Sequence, residues 1–270
     1  MLKILYPCDP LNPRQCDECF AEEYAAALDQ GLCCSLISFE QLQAGRLRVT
    51  PALEEADLIL YRGWMQSAQM YRDFVRLLAD RGATAAISTD DYLACHYLPN
   101  WYRLCAEFTA QTVILSSDED VAATLERLDW PGYFVKDYVK SLNTGAGSIA
   151  NQANQVAAII EQLANFRGEL EGGICLRRLE SYSVDTERRY FVAGGQVLAP
   201  DGAGVPELVS AVAGRIDRPF FSIDVVANKQ GQMRLVELGD GQVSDRKEWS
   251  SAQFAQVLLA LASALTLGAA

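Results

Sequence analysis

Residues 221–241 read FSIDVVANKQGQMRLVELGDG, and this stretch places two acidic residues inside otherwise apolar, β-branched segments. FSIDVVA and MRLVEL have the composition of strands, and NKQGQ between them is rich in turn formers, so the stretch predicts a β-hairpin. With its turn centred between Gln230 and Gly231, Asp224 and Glu237 lie opposite each other on one face. Two ionised carboxylates about 5 Å apart repel each other. A divalent cation, a shared proton or a nearby cationic side chain must compensate them.

The whole chain has the composition of an ordinary globular protein. Its 270 residues, 50% of them hydrophobic, are enough for one large domain or for two to three lobes. The formal charge of −12 argues against a protein that binds nucleic acid or an anionic membrane non-specifically. The N-terminus lacks the regions of a signal peptide, which predicts a cytoplasmic protein.

Two further patterns limit the function. The apolar stretch 257–270 is shorter than the ~20 residues of a membrane-spanning helix, so it predicts a packing helix and leaves a homo-oligomer contact open. The eight cysteines are expected to be reduced, although the CxxC of Cys16 and Cys19 leaves a metal site or redox pair open. The single histidine, His96, has no nucleophile motif around it, which argues against a Ser-His-Asp or Cys-His mechanism.

The order of predicted elements indicates three domains. Residues 1–100 alternate strands and helices, which predicts an α/β lobe with a parallel sheet. Residues 101–172 predict a small α+β lobe, and residues 173–270 predict a larger, β-rich lobe that closes with a helix.

A lysine strand and a glycine-containing loop are the first candidates for chemistry. Lys136 lies inside the strand YFVKDYV, and Lys140 precedes SLNTGAGS, which contains Thr144, Gly145 and Gly147. An unpaired ammonium in a buried strand is costly, and glycines let backbone N–H groups approach phosphate oxygens. The alternative is structural, because such a loop is most often only a turn and a strand lysine often extends to solvent. The P-loop and Rossmann fingerprints are absent.

An arginine strand follows in the sequence ERRYFVAGGQV. Arg189 alternates with apolar residues there, so it projects from one face and could grip a phosphate or carboxylate through two hydrogen bonds. The alternative is a surface ion pair with Glu187 or Asp185.

The order of strand lysine, glycine loop, arginine strand and carboxylate hairpin resembles the ATP-grasp superfamily over about residues 100–250. In that superfamily an N-terminal α/β domain is followed by a pair of α+β lobes that hold ATP and Mg²⁺. The resemblance implies that residues 101–172 form the small ATP-binding lobe and residues 173–270 the large catalytic and metal-binding lobe. It implies that the nucleotide is bound by Lys136, Lys140, Thr144, Gly145, Gly147, Arg177 and Glu180.

The resemblance also implies catalytic and metal-binding roles. Arg189 and Lys136 would act on the transferred phosphate, and Asp224 and Glu237 would bind Mg²⁺. The superfamily's usual Glu-x-Asn ending is absent, because Leu238 and Gly239 follow Glu237, and Asp240 is the expected substitute ligand. YRGWM resembles a segment of small ATP-grasp proteins in which its arginine, Arg62, would contact substrate.

These assignments imply an ATP- and Mg²⁺-dependent ligase that joins a small-molecule or peptide carboxylate to an amine through an acyl phosphate. Two alternatives stay open. Carboxylates about 5 Å apart also fit a retaining glycosidase, which would leave Lys136, the glycine loop and Arg189 unexplained. The missing Asn favours a nucleotide-binding protein with a regulatory or partner-binding role and no ligase activity. If only a metal relieves the repulsion in the hairpin, neutralising either acid should leave the metal-free fold unharmed or firmer.

Overall fold

The computed structural model describes residues 2–139, 147–167, 170–200, 202 and 204–267. Its strands are β1 (Leu2–Pro7), β2 (Cys34–Ile37), β3 (Val49–Thr50), β4 (Leu58–Tyr61), β5 (Thr84–Ala85), β6 (Thr112–Ser116), β7 (Tyr133–Asp137), β8 (Ile149–Ala150), β9 (Gly173–Arg178), β10 (Tyr182–Ala193), β11 (Gln196–Leu198), β12 (Phe220–Asn228) and β13 (Met233–Asp240). Its α-helices are α1 (Ala21–Asp29), α2 (Phe39–Gln43), α3 (Ala68–Ala79), α4 (Thr89–His96), α5 (Leu98–Cys105), α6 (Val121–Leu125), α7 (Val156–Arg167), α8 (Glu207–Ala213) and α9 (Ser251–Leu267).

The first sheet has the strand order β3-β2-β1-β4-β5. Strands β1, β2, β4 and β5 run parallel, and only the short β3 pairs antiparallel with β2. Helix α3 shows why the pattern was readable: Ser67 caps its first turn, and Tyr71, Phe74 and Leu78 form its buried face at helical spacing. The predicted α/β lobe with a parallel sheet is confirmed.

The second sheet is antiparallel, with the order β6-β9-β7-β8. Successive side chains of a strand face opposite sides. Val135 of β7 and Leu176 of β9 face one side and form a hydrophobic cluster with Val156 and Leu163 of α7. Because β9 lies between β6 and β7, the domain boundary predicted at 172/173 falls inside this sheet.

The third sheet has the order β11-β10-β12-β13 and contains the predicted hairpin. The N–H of Gly231 donates to the carbonyl of Asn228 at 2.9 Å, and the N–H of Asn228 donates to the carbonyl of Gln232 at 2.8 Å. Gly231 has a φ of 80°, which glycine adopts at little cost. The turn is therefore centred on Gln230, half a residue from the predicted centre.

Contacts between residues divide the chain into two compact units. The first contains Met1–Cys95, Arg189–Ile223 and Gly239–Ala270, and the second contains His96–Arg188 and Asp224–Leu238. The first predicted boundary, at 100/101, lies five residues beyond the first break between these units. Strands β10, β12 and β13 each contain residues of both units, so the units are not consecutive in sequence. The division into three consecutive domains stays a prediction.

Helix α9 belongs to the core of the first unit. Its residues Phe254, Val257, Leu258 and Leu261 are fully buried in one cluster with residues of the first sheet. The C-terminal apolar stretch therefore begins as the packing helix that the sequence predicts. Among the residues that the structure describes, no helix is long and apolar enough to cross a membrane.

A buried ion pair joins the start of β1 to the start of β4. Lys3 Nζ lies 2.6 Å from Asp57 Oδ2, and both side chains are less than a tenth exposed. Burial raises the pKa of Asp57, but the hydrogen bonds from Lys3 and the Glu54 N–H and the Lys3 charge outweigh this and lower that pKa below its usual value. The pair therefore stabilises the fold above the unfolded-state pKa of Asp57, and this contribution is lost as the pH falls through the lowered value.

Replacing Lys3 with Met should lower the free energy of unfolding by about 3–5 kcal/mol at pH 7, because it leaves the Asp57 carboxylate buried without its cation. Urea denaturation measures this loss, which should shrink as the pH falls toward 3. Asp80→Asn, which removes an exposed partner of Arg76, is the matched control and should change nothing measurable. Equal stability of the Lys3 variant and the wild type would contradict the prediction.

Candidate functional site

One face of the second sheet is polar although it is buried. Lys136 of β7 pairs with Cys175 of β9, and Arg177 lies two residues along β9, so all three side chains share the face opposite the α7 cluster. Lys136 is 3% exposed and Arg177 is 7% exposed. Burial raises the pKa of the Cys175 thiol to about 12, although Lys136 and Arg177 lower it, so the thiol is neutral at pH 7. Lys136, Cys175 and Arg177 are called the polar face below.

Lys136 is paired with one of the two hairpin acids. Its Nζ lies 2.5 Å from Glu237 Oε1, with the lysine side chain 4% exposed and the glutamate side chain 38% exposed. The cation that compensates Glu237 is therefore a side chain, one of the three options that the sequence left open. The expectation that neutralising Glu237 firms the fold loses its premise, because the carboxylate is attracted to Lys136.

Arg177 holds the backbone of β13. Its Nη1 donates to the carbonyl of Val236 at 2.8 Å, and its Nη2 donates to Thr109 Oγ1 at 2.5 Å. The hydroxyl of Thr109 donates in turn to the carbonyl of Leu235 at 2.7 Å. The remaining donor, Nε, is buried without a hydrogen-bond partner. Arg177 thus fixes the strand that carries Glu237 beside Lys136.

Glu180, the predicted ribose ligand, follows β9 and is paired with Arg234. Arg234 Nε and Nη2 donate to the two carboxylate oxygens at 3.0 Å each, and the Tyr182 hydroxyl also donates to Glu180 at 3.0 Å. Glu180 and Arg234 line a cavity of about 380 Å³ together with Pro131, Ser181 and Asn228. The carboxylate is therefore in a cavity wall, where Arg234 orients it.

The two ends of the β12–β13 hairpin differ in register. At the turn, Asn228 pairs with Gln232, and at the far end the N–H of Gly241 donates to the carbonyl of Phe220 at 3.2 Å. Eight residue steps on the first strand therefore match nine on the second. An extra residue of this kind is a β-bulge.

The burial of β13 locates the bulge. Exposure alternates along the strand except at Val236 and Glu237, which are both half-buried. Counting from either end of the hairpin then places both residues opposite Asp224, which is 3% exposed. Bulges redirect side chains and occur often beside functional sites. The bulge lets Arg177 bind the Val236 carbonyl while Glu237 reaches Lys136.

Asp240, the predicted substitute metal ligand, is bound within the first unit. Its Oδ1 accepts from the N–H and the side-chain amide of Gln242 at 2.9 and 3.1 Å, and its buried Oδ2 has no hydrogen-bond partner. Burial raises the pKa of Asp240 to about 8, with the Gln242 bonds lowering it and the Asp91 charge raising it. The carboxyl is therefore mostly protonated at pH 7, which favours a structural role.

The departure from Glu-x-Asn has a steric cause. A Cβ atom at Gly239 would lie 2.6 Å from Ser244 Oγ and 2.9 Å from Ser222 Oγ. These two hydroxyls are hydrogen-bonded to each other at 2.8 Å, and Ser244 Oγ also donates to the carbonyl of Asp240 at 2.8 Å. The position where the superfamily has Asn therefore has no room for a side chain.

Arg189 is held by the segment that follows the hairpin. Its Nη1 donates to both the carbonyl and Oδ1 of Asp245 at 2.9 Å, and its N–H donates to Glu248 at 2.9 Å. The indole N–H of Trp249 donates to its carbonyl at 2.9 Å. Arg189 is 8% exposed, so it is a buried, oriented arginine that is anchored by Asp245.

Arg62, the predicted substrate contact, is 2% exposed. Its guanidinium binds both carboxylate oxygens of Glu23, at 2.6 and 2.9 Å, and lies 4.5 Å from the centre of the Phe254 ring. Its Nη1 donates to backbone carbonyls of the segment after the hairpin. These contacts favour a structural role for Arg62.

Three predicted nucleotide ligands, Lys140, Thr144 and Gly145, lie outside the described residues. Gly147 is described, with a φ of 69° and open space around it. In the ranges that the structure describes, no group of three or more His, Cys, Asp and Glu residues could hold a metal ion. The assignment of Asp224, Glu237 and Asp240 to one magnesium site therefore stays a prediction.

Sequence reasoning missed Thr109 and Arg234, which hold the strand of Glu237 and the carboxylate of Glu180. Arg234 carries a weak signal, because it lies two residues from Val236 and on a strand. Thr109 carries none, because it lies just before β6 in an irregular segment.

Comparisons with known proteins agree on the fold. The family model of an ATP-grasp domain, family 3 of its clade, matches residues 117–260. No curated protein sequence matches the chain significantly. D-cycloserine synthetase DcsG is 15% identical with a TM-score of 0.64 over 95% of this chain and 98% of its own. The D-alanine-D-alanine ligase from Coxiella burnetii is 10% identical with a TM-score of 0.63 over 99% and 97%. The ligase PsnB in complex with a precursor peptide and AMPPNP is 12% identical with a TM-score of 0.55 over 96% of both chains. At these identities the structures show the fold alone.

Glu237→Gln should destabilise the protein more than Lys136→Met. The glutamine variant leaves an ammonium that is 4% exposed without an anion, whereas the methionine variant leaves a carboxylate that is 38% exposed to water. We expect a loss of about 3 kcal/mol for Glu237→Gln, measured by urea denaturation at pH 7. A Glu237→Gln variant as stable as the wild type would show that the Lys136 pair contributes nothing.

Gly239→Asn should destabilise the fold by about 1–3 kcal/mol, because its Cβ must displace two hydrogen-bonded serine hydroxyls. Gly204→Asn is the matched control, since a Cβ there meets open space and should be tolerated. Thermal unfolding of both variants and Mg²⁺ titration by calorimetry measure the effect. A stable Gly239→Asn variant with tighter Mg²⁺ binding would contradict the steric explanation.

Proposed function

The chain belongs to the ATP-grasp domain family whose model it matches, and from this membership we propose that it is an ATP- and Mg²⁺-dependent ligase that joins a carboxylate to an amine. The family match and the structural similarity confirm the ATP-grasp resemblance and the fold class that the sequence implies. The ligase activity, its substrates and its site residues are the proposal.

The polar face is the observation that carries the proposal. Two cations, Lys136 and Arg177, are held on a buried sheet face beside a carboxylate that is 38% exposed. A buried cation near water-accessible space is suited to bind an anionic group such as a nucleotide phosphate. Lys136 would orient the phosphates, and Glu180 in the cavity wall would accept a hydrogen bond from the ribose.

The proposed reaction has two steps. A substrate carboxylate oxygen attacks the γ-phosphorus of ATP, which forms an acyl phosphate and releases ADP. The amine then attacks the acyl carbon, the amide bond forms, and phosphate and a proton leave. Arg189, oriented by Asp245 at 2.9 Å, would stabilise the charge on the transferred phosphoryl group.

The hairpin acids have the chemistry that Mg²⁺ requires. Asp224 and Glu237 supply hard carboxylate oxygens, which this ion prefers. The buried, unpaired Oδ2 of Asp240 is a further oxygen without a partner, but its carboxyl is mostly protonated at pH 7. We therefore assign the ion to Asp224 and Glu237 and leave Asp240 as a structural residue. When bound, the ion would neutralise phosphate charge.

The similar folds support the substrate class. Two of them are named ligases or synthetases of small amino-acid products, and PsnB is complexed with a precursor peptide. The proposed substrates are accordingly small-molecule or peptide carboxylates and amines.

A nucleotide-binding role without ligation is the second candidate. Gly239, where no side chain fits, removes the second metal ligand of the Glu-x-Asn pattern. A site with fewer metal ligands could bind ATP and respond to it without transferring phosphate.

Millimolar Mg-ATP should raise the melting temperature, because a ligand that binds only the folded state stabilises it. Candidate acids should then release ADP, and hydroxylamine in place of the amine should trap the acyl phosphate as a hydroxamate. Lys136→Met and Arg189→Ala should abolish the hydroxamate while keeping the fold, with Arg218→Lys as an unaffected control. A thermal shift with no ADP release from any acid would favour the second candidate, and no shift at all would refute both.

A further inference from the structure

We infer that Arg62 is a positioning residue, which holds the segment Gly241–Trp249 so that this segment fixes Arg189. The inference rests on the proposed role of Arg189 and concerns residues of the first compact unit only. Gly241–Trp249 is called the 241–249 loop below.

Arg62 gathers three carbonyls of this loop on one nitrogen. Its Nη1 lies 2.6 Å from the carbonyl oxygen of Ser244, 3.0 Å from that of Gln242 and 3.4 Å from that of Gly241. Converging carbonyl dipoles repel one another unless a cation lies between them. Arg62 supplies that cation at the first turn of the loop.

Glu23 and Phe254 orient the guanidinium. Glu23 of α1 binds its other edge through two hydrogen bonds and is itself 2% exposed. Phe254 of α9 lies under the guanidinium plane, with 4.5 Å between the guanidinium carbon and the ring centre. A lysine could replace the charge but not the planar set of donors that serves both edges at once.

The same loop holds Arg189 from three sides. Asp245 binds its guanidinium, Glu248 accepts its N–H, and Trp249 donates to its carbonyl. The side chain of Asp245 is 78% exposed, so packing does little to hold it and the backbone of the loop must set its place. Arg62 binds that backbone at Ser244, one residue before Asp245. Loosening the Arg62 clamp should therefore move the group that orients Arg189.

Arg62→Lys should lower kcat for ATP turnover on the order of a hundredfold with little change in KM for ATP, because small displacements of a catalytic group are costly. Glu23→Gln should lower kcat in the same direction and by less. In the double variant Arg62→Lys/Arg189→Ala, turnover should be no slower than in Arg189→Ala alone. Arg218→Lys, which keeps an exposed ion pair with Asp91, is the control and should match the wild type.

Hydrogen exchange tests the same inference without activity. In Arg62→Lys, exchange should rise in the 241–249 loop and at the Arg189 N–H, which Glu248 protects in the wild type. Wild-type exchange at Arg189, or multiplicative kcat losses in the double variant, would overturn the inference. A wild-type protein that neither binds nor turns over ATP would refute the proposed function, while the exchange result would still decide whether Arg62 positions the loop.

Discussion

The ammonium of Lys136 is buried on a sheet face, and a buried cation requires an anion. The anion comes from a strand about one hundred residues later, Glu237 of β13. To deliver it, β13 carries an extra residue at Val236–Glu237, and Arg177 binds the carbonyl of Val236 there. The register of the hairpin, the placement of Arg177 and the burial of the polar face are thus consequences of one electrostatic requirement.

The sequence predicted the elements well because their signals are local. The Ser67 cap, the apolar spacing of α3 and the glycine of the β12–β13 turn each act over a few residues. The partner of Lys136 could not be predicted, because the alternation of YFVKDYV shows that Lys136 faces one side but not what covers that side. The bulge was equally hidden, since two half-buried residues in MRLVEL read as ordinary alternation until both ends of the hairpin are known.

The candidate site shows the same limit. Arg62 and Arg189 were recognised as unusual from their places beside strands, and both are buried. Their chemistry depends on carbonyls and carboxylates that tertiary packing brings to them. Asp240 was chosen as a ligand because it lies one residue from the missing Asn. One residue along a strand is the opposite face, where Asp240 binds Gln242.

Under the proposed function, Glu237 serves two cations. In the structure it neutralises Lys136 at 2.5 Å, and in the loaded site it would bind Mg²⁺. One carboxylate cannot satisfy both fully, so the ion weakens the lysine pair and frees the ammonium for a phosphate. A phosphate that takes Lys136 in turn frees Glu237 for the ion. Because linkage is reciprocal, nucleotide and Mg²⁺ must then bind more tightly together than apart. The pair keeps the polar face stable while it is empty, and the same pair makes the site respond to the complete Mg-ATP complex.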